Sequence, residues 1–130
     1  GNVAFEAPVK HVHGNAETYG FKFLTSQCQI SYVADTRFFP ELASHYKGDI
    51  MIFNVVRLEP SDLDHLCMED VKKIVTECKP KVAIITHFGM TLLRANPWKQ
   101  AKTIEDSAGV KVVVAKDGMV FDTDKMEVSS

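Results

Sequence analysis

The chain opens with short segments in which apolar and polar residues alternate, the period of strands with one buried face. "VAFEAPVKHVH" (3–13) has extended character, and Pro8 within it suits an edge or irregular strand. "TYGFKFLT" (18–25) alternates aromatic and polar residues around Gly20. "QISYVADT" (29–36) sets Ile30, Tyr32 and Ala34 on one face and Ser31, Val33 and Asp35 on the other. Turn-prone "HGNAE" and "TSQCQ" separate these segments, so residues 1–36 read as an antiparallel meander.

After Asp35 the period lengthens. "FPELASHYKG" predicts a short helix, with Pro40 in its first turn and Gly48 as its stop. "DIMIFNVV" is a continuous apolar run of strand length. In "LCMEDVKKIVTECK", Leu66, Val71, Ile74, Val75 and Cys78 fall on one helical stripe, which Pro80 ends. "KVAIIT" is a second buried strand. "MTLLRANPWKQAKTIEDSAG" predicts two helical pieces divided at Pro97. "VKVVVAKDGMVFD" predicts a closing hairpin that turns at Asp117-Gly118. Residues 37–122 are thus strand-helix units and a hairpin, and 123–130 are a frayed tail. The whole is a single α/β domain, residues 1–130: one mixed β-sheet whose inner strands need helices on at least one side.

Composition narrows the classes of function. With 130 residues, 45% hydrophobic and 25% charged, the chain is of soluble globular type. A net charge of −2 gives no electrostatic footprint for nucleic acid or anionic lipid. There is no apolar run of bilayer length and no signal layout at the start, so a cytoplasmic protein with no membrane association is expected. Cys28, Cys67 and Cys78 form no CxxC pair and read as reduced thiols. Cys67 stands close to His65, but a small apolar residue at a helix start is the plainer reading than a thiolate ligand. No glycine-rich phosphate loop and no G-x-S-x-G elbow are present, which argues against kinase, dehydrogenase and serine-hydrolase chemistry.

Residues able to bind a metal or move a proton recur at one kind of place, the exit of a strand or the loop after it. They are His13 (or His11) after the first strand, Asp35 after the third, His65 after "DIMIFNVV" and His87 after "KVAIIT". In open sheets such exits form a common rim where ligands bind. Imidazole and carboxylate on one rim suit zinc or a similar divalent ion. Each residue also has a plainer role: a packed histidine, a turn carboxylate at Asp35, a loop residue near a helix cap at His65. His45, at a helix end, is read as structural.

Four stretches in order, "HGNAETYGFKF", "ISYVADTRF", "SDLDHLCMEDVKKIV" and "KVAIITHFGM", resemble the C-terminal half of the metallo-β-lactamase superfamily, in particular its ribonuclease Z-like and phosphodiesterase-like branch. The matched features are a histidine ahead of Tyr19-Gly20-Phe21, Asp35 in "ADT", His65 in "DHL" and His87 in "IITH". Either His11 or His13 can be the first; His13, nearer the loop, is preferred. The family's His-x-His-x-Asp-His motif is absent, and "HVH" at His11–His13 only imitates its beginning.

The resemblance implies half of an αββα sandwich, one mixed sheet with helices packed on its outer face. Its inner face would be covered by the missing N-terminal half or by a second copy, as in a homo-oligomer. It also implies two divalent metals in the complete enzyme, zinc first and manganese or iron as alternatives. Metal ligands would be His13 (or His11), Asp35 and His87, with Asp35 bridging and His65 assisting proton transfer. The implied activity is hydrolysis of a phosphodiester or other small ester. With too few ligands of its own, this chain alone is expected to be inactive. The competing expectation is a non-catalytic partner or oligomerisation module, in which the histidines need not converge.

Overall fold

A computed structural model describes residues 4–58 and 65–129. The first three strands are β1 (Ala4–Glu6), β2 (Phe21–Leu24) and β3 (Gln29–Val33), paired antiparallel in sequence order as the alternation predicts. The first is much shorter than its extended-looking sequence: beyond Glu6 only Lys10 bridges back, to Tyr19. Then follow α1 (Leu42–Tyr46), β4 (Ile50–Arg57), β5 (Leu66–Cys67), α2 (Met68–Cys78), β6 (Val82–Thr86), α3 (Met90–Arg94), α4 (Pro97–Ala108) and β7 (Lys111–Val114). Pro97 divides the two helical pieces by starting the second, where its missing N–H costs nothing. Asn96 caps that start by accepting from the Lys99 N–H.

The sheet runs β1-β2-β3-β4-β6-β7, with β5 paired to β4, and β3, β4, β6 and β7 are mutually parallel. Each crossover steps one place in the same direction along the sheet. Right-handed crossovers that all step one way deliver all their helices to one face. That face is the main core: Val33, Met51, Phe53, Val55, Ala83, Ile85, Val112 and Val114 pack against Leu42, Tyr46, Val71, Ile74, Val75 and Ile104 of the helices. Burial of these side chains, at about 1.5–3 kcal/mol each, dominates the stability of the fold.

Among the described residues the opposite face has no helix. Ile30, Ile50, Ile52, Val82, Ile84 and Val113 point to it, and Phe5, Phe21 and Phe23 extend it as an aromatic cluster with centroids 6.0–6.3 Å apart. The expected apolar inner face is therefore present, partly covered by the chain's own end. Here the structure corrects the sequence reading. β7 does not fold back as a hairpin at Asp117-Gly118. Instead β8 (Val120–Asp122) pairs with β9 (Glu127–Ser129), inside the segment expected to fray. The Asp122 carboxylate accepts from the Asp124 and Lys125 N–H groups and builds the tighter turn, and Phe121 and Met126 gain an apolar surface to cover. The "SDLD" part of the third motif lies outside the described residues.

Candidate metal-site rim

Asp35 lies just past β3, His65 immediately before β5, and His87 immediately after β6. Asp35 and His87 thus stand at the carboxyl edge of the parallel strands, and His65 joins them because Leu66 pairs with Val55 near the end of β4. The Asp35 Oδ1 is 3.7 Å from the His65 Nδ1 and 3.6 Å from the His87 Nε2. The His13 ring meets the His65 ring edge to face, with centroids 5.0 Å apart. Two of the histidines singled out from sequence thus flank one Asp35 oxygen, and His13 packs against one of them.

His11 is not among them. It is 2% exposed, and its Nδ1 donates to the Asp35 carbonyl at 3.2 Å. Its Nε2 accepts from the Tyr46 hydroxyl at 2.5 Å and from the Gly20 N–H at 3.1 Å. Burial pushes the His11 pKa down, against the opposing pull of Asp35. Burial also pushes the Tyr46 hydroxyl up to about 12, so it remains a donor. With both ring nitrogens engaged inside the fold, the His11 alternative is corrected to a structural role. Gly20 is required beside it: a Cβ there would stand 2.2 Å from the Tyr32 carbonyl oxygen and 2.6 Å from the Tyr46 hydroxyl.

His87 is held in an unusual backbone state. Its φ of 67° is left-handed, a region that costs a branched or bulky residue of order 1–3 kcal/mol. Two residues on, the Gly89 N–H donates to the Val56 carbonyl at 2.9 Å. A Cβ at Gly89 would stand 2.8 Å from that same carbonyl oxygen. The glycine lets the chain close onto β4, and that closure turns the His87 side chain, 54% exposed, toward Asp35.

Two residues at the rim were missed by sequence reasoning. Asn54, 6% exposed on β4, donates from its Nδ2 to the Asp35 Oδ1 at 3.3 Å. The Tyr32 hydroxyl donates to the Asn54 Oδ1 at 3.1 Å. The signal was an amide alone inside the apolar run "IMIFNVV". Cys67, weighed as a ligand, is buried, and burial raises its thiol pKa. Its N–H donates to the Asp70 carboxylate at 3.0 Å, which caps α2.

The donor set suits a divalent ion in kind but not in number. Two ligands of one zinc ion stand about 3.3 Å apart at tetrahedral geometry, close to the two Asp35–histidine separations. Among the described residues the buried His65 Nδ1 has no hydrogen-bond partner, an expensive state for a buried polar atom. Yet among the described residues no three His, Cys, Asp or Glu side chains converge closely enough to hold a metal. A cleft of about 630 Å³ lies at the other end of the strands, bordered by Lys47, Lys79 and Lys81. It holds helix C-termini rather than chemistry: Lys79 donates its Nζ to the Ala108 carbonyl at the end of α4. Among the described residues no helix is long and apolar enough to cross a membrane.

Known structures share this architecture. The metallo-β-lactamase fold protein YhfI from Bacillus subtilis superposes with a TM-score of 0.72 at 19% identity, over 89% of this chain and 47% of that one. A diphosphatase from the PhnP family superposes with a TM-score of 0.61 at 23% identity, over 85% of this chain and 40% of that one. The chain therefore has the metallo-β-lactamase fold, as half of its αββα sandwich. In sequence it is 32% identical over 111 residues to the uncharacterized protein MJ1374 of Methanocaldococcus jannaschii, across 82% of this chain. It spans 41% of that relative's length. No family model matches the chain.

Proposed function

We propose that this chain is the C-terminal portion of a metal-dependent hydrolase that cleaves phosphodiester bonds. The observation that carries the reading is the Asp35 Oδ1 set between His65 and His87 at 3.7 and 3.6 Å. The likeness to a diphosphatase supports a phosphoryl substrate over other esters. In the complete protein, His13, Asp35 and His87 would help to hold two divalent ions, zinc first, with manganese or iron as alternatives. Bound there, the ions would supply an acidified water and neutralise charge on the phosphoryl oxygens. The residues of this chain do the rest. Asp35 would set the spacing of the ligands, and His65 would pass a proton to the leaving oxygen. Because no three ligands converge here, the chain needs ligands from a further half of the protein, whose sheet would also cover the helix-free face. The natural compartment for such an enzyme, with its free thiols, is the cytoplasm.

The test is turnover of bis-p-nitrophenyl phosphate with zinc or manganese. The 130-residue chain should give none above background, and a longer form that restores the other half should turn over and lose activity on Asp35→Ala. Robust turnover by the chain alone contradicts the proposal. The apolar helix-free face favours one other reading, a partner or homo-oligomerisation module with no working site. In that case the longer form stays inactive with every divalent metal, and Asp35→Ala leaves assembly untouched.

A further inference from the structure

A carboxylate that must serve several partners has to be held from behind. At Asp35 the groups behind it form a hydrogen-bond chain with only one possible polarity. An ionised carboxylate only accepts, so the Asn54 amide must turn its NH2 toward Asp35. That leaves the Asn54 carbonyl oxygen facing Tyr32, whose hydroxyl must then donate. An unaided amide has two orientations of similar shape, and the tyrosine removes the wrong one, in which the amide oxygen would face the carboxylate. Burial makes the choice matter, because neither end of Asn54 can turn to water.

We propose that Asn54, oriented by Tyr32, is the positioning residue for Asp35: it fixes the Asp35 Oδ1 between His65 and His87 and so sets the rim's affinity for a divalent cation. The chain runs Tyr32 hydroxyl to Asn54 carbonyl, then Asn54 amide to Asp35. It crosses from β3 to β4 and back to the loop after β3. The hydrogen bonds of both residues run toward Asp35, and both act on the rim through it. The clause about cation affinity rests on the function proposed above; the orientation of Asp35 does not.

The test uses the 130-residue chain and three variants: Tyr32→Phe, Asn54→Leu and the double variant. The first readout needs no metal. The Asn54 side-chain NH2, followed by nitrogen-15 NMR, should exchange with water at least about tenfold faster in Tyr32→Phe, with backbone amide exchange unchanged. Equal exchange overturns the proposed orientation. The second readout is Co2+ affinity and its visible absorption spectrum, which reports ligand geometry. Each single variant should weaken Co2+ binding by about tenfold, the usual size for a residue behind a metal ligand, and shift the spectrum. The double variant should bind no more weakly than Asn54→Leu, because Tyr32 acts only through Asn54. Additive losses, or unchanged affinity in Tyr32→Phe, overturn the proposal. If the unaltered chain binds no Co2+, the rim holds a cation only with ligands from the further half, and the NH2 exchange alone decides the positioning of Asp35. Should Asn54→Leu fail to fold, Tyr32→Phe, which removes one half-buried hydroxyl, decides by itself.

Discussion

His11 and His13 are separated by one residue and have opposite assignments, so replacing each by alanine should give opposite phenotypes. His11→Ala removes a ring that is 2% exposed. It leaves the Asp35 carbonyl, the Tyr46 hydroxyl and the Gly20 N–H without the partner each has at 3.2, 2.5 and 3.1 Å. A buried polar group left unpaired costs about 1–3 kcal/mol. The Gly20 N–H keeps its second contact, to Tyr46 at 3.1 Å, so two orphans and a cavity remain. The sum is about 3–5 kcal/mol, which for a chain of this size lowers Tm by roughly 10–20 °C. His13→Ala removes a half-buried ring that packs edge to face on the His65 ring, and should cost clearly less stability than His11→Ala. Thermal unfolding by circular dichroism reads the first effect, and Co2+ titration reads the second, since His13→Ala should weaken cation binding while His11→Ala, below its lowered Tm, should bind normally. Equal losses of stability in the two variants would refute the assignment, as would cation binding that depends on His11 but not on His13.

Gly89→Ala should displace the His87 loop from Val56, lowering Tm by several degrees, at about 1–3 kcal/mol, and weakening cation binding; crystallography of the variant should find the 87–89 turn moved. The thiols of Cys67 and Cys78, whose pKa values burial raises, should react with a disulfide reagent at pH 8 far more slowly in the native protein than in denaturant; fast native reaction at Cys67 would contradict its place in the core. The exposed Lys102–Asp106 pair, 3.1 Å apart one helical turn from each other, is screened by water, so Lys102→Ala should leave the urea midpoint almost unmoved.

The strand-helix order was legible because the apolar runs of β4 and β6 have few alternatives, and Pro97 and Pro80 mark helix ends by their geometry alone. Pairing was less legible. Asp117-Gly118 is a good hairpin signal, but β7 already has a parallel partner in β6, and Asp122 offers the closing strands a turn of their own. The choice between His11 and His13 was not legible, because the residues there lie outside any strand and period-two alternation does not apply. Asp35, His65 and His87 could be found because strand exits are recognisable. Tyr32 and Asn54 could not, because their role is set by partners on neighbouring strands.

The central claim, that His13, Asp35, His65 and His87 form one partial cation site, is tested most directly by Mn2+ added to the 130-residue chain in an NMR tube. The imidazole resonances of His13, His65 and His87 should broaden first and together, His11 and His45 should stay sharp, and Asp35→Asn should abolish the selectivity. Uniform broadening across all five histidines, or selective broadening that survives Asp35→Asn, would contradict the claim.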